Sequence, residues 1–315
     1  MAPFQVSDMP DLTGYVIIVT GGNSGIGYAT TCELAVRGAR VYIASRSEAR
    51  ASEAIDKMRK STKTSLDLHF LEIDLQDLKS VGRAAQSFRK IETRLDILIN
   101  NAGIMALPYK LTTDGFECHW QVNHLAHHAL FMGVLPLLRS TAAASGTADR
   151  VRVVNVSSAA AFAWGPKDIS WDDVNMTKLS GSTADWRRYG HSKLASIMHA
   201  QAIHLHYHNE GISSYSISPG VIKTNLQAAN PNLFGAIIRF ATSHLPGIMS
   251  PADGARTTLY CATSPAAAQD SGKYHEPFGE VKKKADKFIG DRKRVERLWE
   301  LSNEELRRCG GGFEV

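Results

Sequence analysis

The amino-acid sequence predicts an α/β protein with a doubly wound parallel sheet and helices on both of its faces. Short runs rich in β-branched residues alternate along the chain with longer stretches that have helical apolar spacing. These runs are continuously apolar, which is typical of parallel strands that are covered on both faces. The predicted strands are Tyr15–Thr20, Arg40–Ser45, Leu66–Ile73, Leu95–Asn100, Val151–Ser157 and Ile212–Ser218.

Five stretches between the predicted strands have the apolar spacing of helices, and they lie at about 25–37, 48–60, 77–92, 113–139 and 186–209. No repeat and no linker rich in Pro, Gly or Ser divides the chain, so we expect one domain with a core at about 12–275. Scattered apolar residues at 225–250 predict a lid over the carboxyl edge of the sheet, where such sheets bind ligands. Residues 276–315 form a C-terminal extension, in which 284–307 has near-helical apolar spacing.

Composition narrows the class of protein. Lys and Arg exceed Asp and Glu by five, and three of those excess charges lie in residues 281–315, so a broad nucleic-acid-binding face is not expected. The four cysteines are far apart and contain no CxxC pair, which favours reduced thiols over a disulfide framework or a zinc site. Neither a signal peptide nor an apolar run of about 20 residues is found. These features predict a cytoplasmic protein with no membrane span.

Several histidines raise the question of a metal site. His204 and His208 share a helical face, with His199 and His206 nearby, and His127 and His128 are adjacent in the chain. No cluster of cysteines or carboxylates accompanies them, as metal ligands would require. We therefore interpret all of these histidines as surface or interface residues and expect no metal.

A glycine-rich turn follows the first predicted strand and leads into a helix. It reads Thr20-Gly21-Gly22-Asn23-Ser24-Gly25-Ile26-Gly27. Glycines allow a tight turn and a close approach to a pyrophosphate, while the helix N-terminus supplies N–H groups and partial positive charge. The turn therefore predicts a Rossmann-like dinucleotide site.

The end of the second strand indicates which dinucleotide binds. Folds that prefer NAD place a carboxylate there, bonded to the ribose 2′-hydroxyl. This chain has Ala44-Ser45-Arg46 instead, and a guanidinium can hold a 2′-phosphate through a fork of donors. We therefore expect NADP(H), with a solvated surface arginine as the alternative interpretation of Arg46.

The spacing and chemistry of the Tyr189-x3-Lys193 pair suit proton transfer. An i, i+4 spacing places both side chains on one helical face. A free tyrosine has a pKa of about 10, and a neighbouring ammonium favours the phenolate and lowers that pKa. The pair is thus a candidate for proton exchange with a substrate oxygen.

These motifs, in this order, resemble those of the short-chain dehydrogenase/reductase family. The glycine turn is similar to the family's TGxxxGxG loop, Asn100-Asn101-Ala102-Gly103 to its NNAG, and Val156-Ser157-Ser158 to the strand that carries its serine. Asn123 lies where the family keeps a structural and catalytic Asn. Pro219-Gly220-Val221-Ile222-Lys223-Thr224 follows the sixth strand, as in the family. The resemblance covers roughly residues 12–275.

The resemblance implies a hydride transfer between nicotinamide and a carbonyl or alcohol. It implies Tyr189 as proton donor or acceptor, Lys193 as ribose contact, Asn123 as anchor of a relay water, and Ser158 as substrate contact, with Ser157 as the alternative. The cofactor-binding residues that it and the glycine turn imply are Gly21, Asn23, Ser24, Gly25, Ile26, Gly27, Arg46, Asp74, Leu75, Asn101, Ala102, Gly103, Tyr189, Lys193, Pro219, Gly220, Ile222 and Thr224.

The 31-residue separation of Ser158 from Tyr189 is longer than in many short members of the family. With Trp171-Asp172-Asp173 and Leu298-Trp299-Glu300, it resembles the branch of retinol dehydrogenases and WW-domain-containing oxidoreductases. The family implies a homo-oligomer, a dimer or tetramer that uses the apolar helix after Asn123. The lid composition favours an apolar organic substrate. Two alternatives stay open, a non-catalytic NADP(H) sensor or scaffold, and an epimerase or dehydratase-coupled reductase.

Overall fold

The computed structural model describes residues 3–62, 64–146, 149–222 and 248–310. Eight strands form one sheet in the order β3-β2-β1-β4-β5-β6-β7-β8, which is the doubly wound topology that the sequence predicts. All neighbouring strands are parallel except β8, which pairs antiparallel with β7 at the edge. The strands are β1 Val16–Thr20, β2 Arg40–Ser45, β3 Leu68–Glu72, β4 Ile97–Asn100, β5 Val151–Val156, β6 Ile212–Ile217, β7 Tyr274–Glu276 and β8 Glu280–Val281.

Helices cover both faces of this sheet. On one face α1, α2 and α8 enclose a core with the side chains of Ile17, Ile43 and Val154, and on the other α3, α5 and α7 enclose a second core. The helices are α1 Gly25–Val36, α2 Glu48–Ser61, α3 Leu78–Ile91, α4 Cys118–Trp120, α5 Ala126–Ala144, α6 Ala160–Ala163, α7 Ala184–Tyr207, α8 Pro251–Thr263, α9 Asp286–Ile289 and α10 Arg292–Arg308.

The predicted helix at 113–139 begins later and ends later than expected. Residues 112–116 form a turn closed by Thr112 N–H donating to the Phe116 carbonyl, with Gly115 at a φ of +83°. Glu117 then caps α4, and a π-helical segment, Gln121–Leu125, joins α4 to α5. A π-helical turn of this kind often marks a functional position.

The C-terminal half contains elements that the sequence analysis missed. Strands β7 and β8 have only three and two residues, too few for a pattern to stand out. Helix α8 has 13 residues, and it was missed although it is long enough. The extension is helical as predicted, but it is interrupted between α9 and α10 at Gly290 and Asp291. Most of the predicted lid, 225–247, and Thr224 lie outside the described residues.

Helix α10 packs across α5 and α7, on the side away from the sheet. The Trp299 ring stacks on His206 with centroids 4.6 Å apart and meets His128 edge-on at 4.8 Å. We call this contact the histidine layer; it comprises His124, His128, His199, His206, Trp120 and Trp299. The same chain thus covers this face of α5 and α7.

The histidines were interpreted as surface or interface residues, and three of them are not at the surface of the chain. His127, His128 and His199 are buried, because they lie on the faces of α5 and α7 that pack against other elements. His204 is half-buried, and His206 and His208 are exposed. None of the helices in the described ranges combines the length and the apolar character that crossing a bilayer requires.

Candidate active site

The glycine turn forms a tight backbone cradle at the carboxyl end of β1. Gly21 and Gly25 have φ values of +66° and +54°, which favour glycine over residues with a side chain. A Cβ at Gly27 would overlap the Gly21 carbonyl oxygen, so the turn closes only with glycine there. Ser24 is the N-cap residue of α1, but its side chain makes no capping hydrogen bond. The first-turn N–H groups are therefore not taken up by a cap, as an anion site requires.

Thr20 joins the glycine turn to the Asn101–Gly103 turn at the end of β4. Its hydroxyl oxygen accepts the backbone N–H groups of Asn101 and Ala102, both at 2.9 Å. The Asn101 side chain donates to the Thr20 carbonyl at 2.8 Å. These bonds bring Gly21, Gly27, Ala102 and Gly103 to one edge of the sheet.

Ser158, Tyr189 and Lys193 meet at the carboxyl end of β5. Tyr189 is buried, and its hydroxyl shares a hydrogen bond with Ser158. Lys193 Nζ lies 5.9 Å from the centroid of the Tyr189 ring and donates to the Val156 carbonyl at 2.7 Å. Ser157 points the other way, since its hydroxyl donates to the Lys193 carbonyl at 2.6 Å. The geometry therefore brings Ser158, and not Ser157, to the tyrosine.

Burial dominates the proton affinities of this group. It raises the pKa of Tyr189 to about 12, although the hydrogen bond with Ser158 opposes the rise. Burial also lowers the pKa of Lys193 to about 7. The expected lowering of the tyrosine pKa by a lysine cation is not found, because desolvation disfavours the charged forms of both Tyr189 and Lys193.

The Asn123 side chain lies within the π-helical segment and is turned toward the Asn101–Gly103 turn. Its Oδ1 accepts from Ile104 N–H at 2.9 Å, and its Nδ2 donates to the Ile104 carbonyl and to Ser192 Oγ. A Cβ at Gly103 would lie 3.0 Å from Asn123 Oδ1 and 3.3 Å from Lys193 Nζ. Asn123 therefore fixes the turn that borders Lys193.

A close backbone contact holds α6 against α7. A Cβ at Gly190 would overlap the backbone nitrogen of Gly165 and lie 2.8 Å from the Ala160 carbonyl oxygen. Glycine next to Tyr189 therefore lets the loop after Ser158 approach the start of α7. This contact sets the distance between the serine and the tyrosine.

The side chains at the end of β2 have unused hydrogen-bonding capacity. Arg46 is exposed and makes no hydrogen bond or ion pair with the residues that the structure describes. The Ser45 hydroxyl oxygen is buried and has no hydrogen-bond partner. Nearby, Asp74 accepts from Gln76 N–H at 2.9 Å, and the Leu75 carbonyl accepts from Gln121. The exposed guanidinium of Arg46 beside the glycine turn is therefore available to bind an anion.

The segment after β6 returns to the glycine turn. Pro219 is buried, and Gly220 has a φ of +87°. A Cβ at Gly254 of α8 would lie 2.6 Å from Ile222 and 3.4 Å from Ile26. Helix α8 therefore packs Ile222 beside the glycine turn, and Gly254 permits the approach.

An apolar wall surrounds Tyr189, and the sequence analysis did not identify it. Met105, Ala106, Ala160, Trp164 and Trp186 cluster with the tyrosine. The Trp186 ring meets the Tyr189 ring edge-on with centroids 6.3 Å apart. Trp186 precedes Tyr189 by nearly one helical turn, and that spacing is the sequence signal for it. Met105 and Trp164 come from other loops and carry no local signal.

A possible metal cluster close to this wall is a helix cap. Glu117, Cys118 and His119 hold ligand-type atoms within 4.8 Å of one another. The Glu117 carboxylate already accepts the N–H groups of His119 and Trp120, each at 3.0 Å. His119 Nδ1 donates to Glu117 at 2.7 Å, and Nε2 accepts from Leu107 N–H at 3.0 Å. Both ring nitrogens are therefore in use.

Comparisons with known proteins agree with the geometry. A model of the short chain dehydrogenase family matches residues 15–169. The short-chain dehydrogenase/reductase drtF of Aspergillus calidoustus is 41% identical over 98% of each chain. Human retinol dehydrogenase 12 is 37% identical over 94% of this chain and 87% of that protein.

Solved structures extend the similarity to the fold. An uncharacterised protein from Mycobacterium paratuberculosis superposes with a TM-score of 0.72 at 29% identity, over 100% of both chains. RhlG of Pseudomonas aeruginosa, in an active-site complex with NADP, has a TM-score of 0.65 at 26% identity, over 88% of this chain and 97% of that one.

Proposed function

The chain belongs to the short-chain dehydrogenase/reductase family, and we propose that it is an NADP(H)-dependent oxidoreductase for carbonyl and alcohol groups of apolar organic compounds. The observation that carries the proposal is the buried Ser158–Tyr189 hydrogen bond beside Lys193, at the sheet edge that carries the glycine turn. A proton donor and a dinucleotide cradle at one edge are the two parts that such a reaction requires.

Each residue of the candidate active site has a separate role in carbonyl reduction. Tyr189 donates its proton to the carbonyl oxygen, and Ser158 hydrogen-bonds the same oxygen. Tyr189 is protonated at neutral pH, as a proton donor must be, and burial makes it a weaker acid by raising its pKa to about 12. Proton transfer therefore relies on the basicity that the carbonyl oxygen gains during reduction. Bound NADPH would supply the hydride. Lys193 would contact the nicotinamide ribose of the bound cofactor, and Asn123 holds the Asn101–Gly103 turn and would anchor a relay water.

The cradle fits a phosphorylated dinucleotide. The uncapped N-terminus of α1 suits the pyrophosphate, and the exposed Arg46 guanidinium suits the 2′-phosphate. The structural neighbour RhlG is described with NADP, which supports the same cofactor here. Asp74, Leu75, Pro219, Gly220, Ile222 and Thr224 are assigned to the adenine and carboxamide ends by their positions in the family motifs.

An apolar substrate is supported by the wall around Tyr189. The relative retinol dehydrogenase 12 is named for an alcohol that is itself largely apolar. We also retain a homo-oligomer as a proposal. Because α10 covers part of the α5–α7 face, subunits would have to associate through a different surface.

The test is nicotinamide oxidation by the purified protein over a panel of apolar ketones and aldehydes, with NADPH and NADH in parallel. We expect turnover with NADPH and formation of the matching alcohol. Tight NADPH binding with no turnover on any compound would favour the sensor or scaffold alternative. Conversion of substrate with no net consumption of NADPH would favour an epimerase.

A further inference from the structure

The His127 side chain lies between the two turns that build the candidate active site. It is buried on α5, one helical turn after Asn123. Its Nε2 is 2.9 Å from Thr20 Oγ1, and its Nδ1 is 3.3 Å from the Asn123 carbonyl oxygen. One ring therefore contacts both the residue that holds the Asn101–Gly103 turn and the π-helical segment.

The directions of these hydrogen bonds follow from the partners. The Asn123 carbonyl can only accept, so Nδ1 carries the ring hydrogen. Burial lowers the pKa of His127 to about 3, so at neutral pH the ring has this one N–H and Nε2 accepts. The Thr20 hydroxyl must then donate to Nε2. Its oxygen remains free to accept the N–H groups of Asn101 and Ala102.

We propose that His127 is a positioning residue that orients the Thr20 hydroxyl and thereby fixes the Asn101–Gly103 turn relative to Asn123. The inference rests on the proposed function only in taking this edge as the NADPH site. His127 contacts no reacting atom, so it acts through Thr20 and Asn123.

The Thr20 hydroxyl has a poorer alternative partner within reach. The Ile99 carbonyl is 3.4 Å from Thr20 Oγ1, against 2.9 Å for the ring nitrogen. Rotation toward Ile99 would turn the oxygen lone pairs away from the two N–H groups that they hold. Because Gly103 lies against Asn123 and Lys193, a shifted turn would reach the ribose and nicotinamide contacts as well.

Two substitutions of His127 separate the contact of its Nδ1 with Asn123 from the contact of its Nε2 with Thr20. His127→Asn keeps an N–H close to the Nδ1 position for the Asn123 carbonyl but is too short to reach Thr20. His127→Gln places an acceptor near the Nε2 position and keeps the Thr20 contact. His128→Asn is the matched control, since His128 is equally buried but bonds to His199 and Asn303 instead.

The measurement is the Kd for NADPH of the full chain by direct titration, with Tm for every variant. A turn that holds its binding arrangement only about one tenth of the time binds about tenfold more weakly, and we expect His127→Asn to weaken NADPH binding by about that factor. His127→Gln should stay within about twofold of wild type, and His128→Asn should lower Tm without changing the Kd.

The outcomes distinguish this inference from the proposed function. Equal Kd values for wild type and both His127 variants would overturn the positioning role, and so would an equal loss of affinity in His128→Asn. If His127→Asn does not fold, His127→Leu replaces it, since it also lacks an acceptor for the Thr20 hydroxyl; a Kd near wild type then overturns the role, and a loss of about tenfold supports it. Because binding is measured without turnover, a wild type that binds NADPH but reduces nothing contradicts only the proposed activity. A wild type that binds no NADPH contradicts both.

Discussion

The carboxyl edge of the sheet and the histidine layer are both built from buried polar side chains, but they differ in how those side chains are satisfied. At the edge, the Ser45 hydroxyl has no partner, Ser24 does not cap α1, and Arg46 is exposed. In the layer, His124 pairs with Ser302 at 2.8 Å and His128 with Asn303 at 2.9 Å. His124 Nδ1 is the exception in the layer, since it is buried without a partner. Open hydrogen-bonding capacity beside a glycine turn indicates a ligand site, whereas pairs between helices indicate a structural contact.

This contrast predicts opposite consequences of substitution in the two regions. A change at the edge should alter binding or turnover and leave the stability of the fold nearly unchanged. A change in the layer should alter the stability of the fold, in either direction, and leave the chemistry of the folded protein intact. Four substitutions, two in each region, test the contrast.

The largest effect is expected for Tyr189→Phe at the edge. Loss of the positioned proton donor should reduce kcat by about 10²- to 10⁴-fold. The Kd for NADPH should change little, because the hydroxyl's role is proton transfer. Lys193→Met is the companion variant and should impair both kcat and the Kd, since it loses a ribose contact too. Near-normal turnover of Tyr189→Phe would contradict the assignment of the proton donor.

The layer is tested most strongly by Trp299→Ala. Removal of a large buried aromatic side chain typically costs about 3–5 kcal/mol of unfolding free energy. We expect a large drop in Tm, measured by calorimetry, with kcat preserved well below the new Tm. Trp299→Phe keeps most of the ring contacts, and its Tm should lie between those of wild type and Trp299→Ala. A loss of kcat at full stability would show that the layer takes part in catalysis.

Arg46→Ala tests whether the exposed guanidinium at the end of β2 selects NADPH over NADH. Charge-assisted hydrogen bonds contribute about 1.5–3 kcal/mol each, so NADPH affinity should fall by about 10- to 100-fold. NADH lacks the phosphate and should bind almost as before. Adding Ser45→Asp to Arg46→Ala should turn the preference toward NADH, because a carboxylate bonds the free 2′-hydroxyl and repels phosphate. Equal weakening of both cofactors, or equal binding of both by wild type, would contradict NADP selectivity.

The smallest effect is expected for Glu305, a buried carboxyl that accepts a hydrogen bond from Trp120 of the histidine layer. Burial raises the pKa of Glu305 from 4.5 to about 7, although the hydrogen bond from Trp120 Nε1 opposes this. The folded protein then binds a proton that the unfolded chain releases. This carboxyl therefore costs stability progressively as pH rises from about 4.5 to 7, and the full cost remains above pH 7.

Glu305→Gln removes the titrating group and keeps an oxygen for the Trp120 N–H. We expect the variant to be more stable than wild type by about 2 kcal/mol at pH 8, with the difference vanishing near pH 4.5. Unfolding in urea at both pH values measures the two free energies. A variant that is less stable than wild type at pH 8 would show that Glu305 is ionised and favourably paired in the fold.

The two regions also differ in how far the sequence predicts them. The glycine turn, Asn101–Gly103 and the Tyr189–Lys193 pair are contiguous or one helical turn apart, so each motif is visible in a short window. The histidine layer combines α4, the π-helical segment, α5, α7 and α10, which lie up to about 180 residues apart in the chain. Except for the contacts of His124 with Trp120 and His128, one helical turn away, no short window contains both sides of its contacts. His128 and His199 were therefore predicted to be surface or interface residues.

The sequence by itself determined the doubly wound sheet, the six principal strands and the position of the glycine turn. It also determined that Tyr189 and Lys193 share one helical face. These follow from local rules, since apolar periodicity and backbone freedom are properties of neighbouring residues. Only the tertiary structure decided that Ser158 rather than Ser157 meets Tyr189, that α10 covers α5 and α7, and that His127 bridges Thr20 and Asn123. Each of these depends on which side chains from distant segments share a buried space, and burial decides which hydrogen bonds must form.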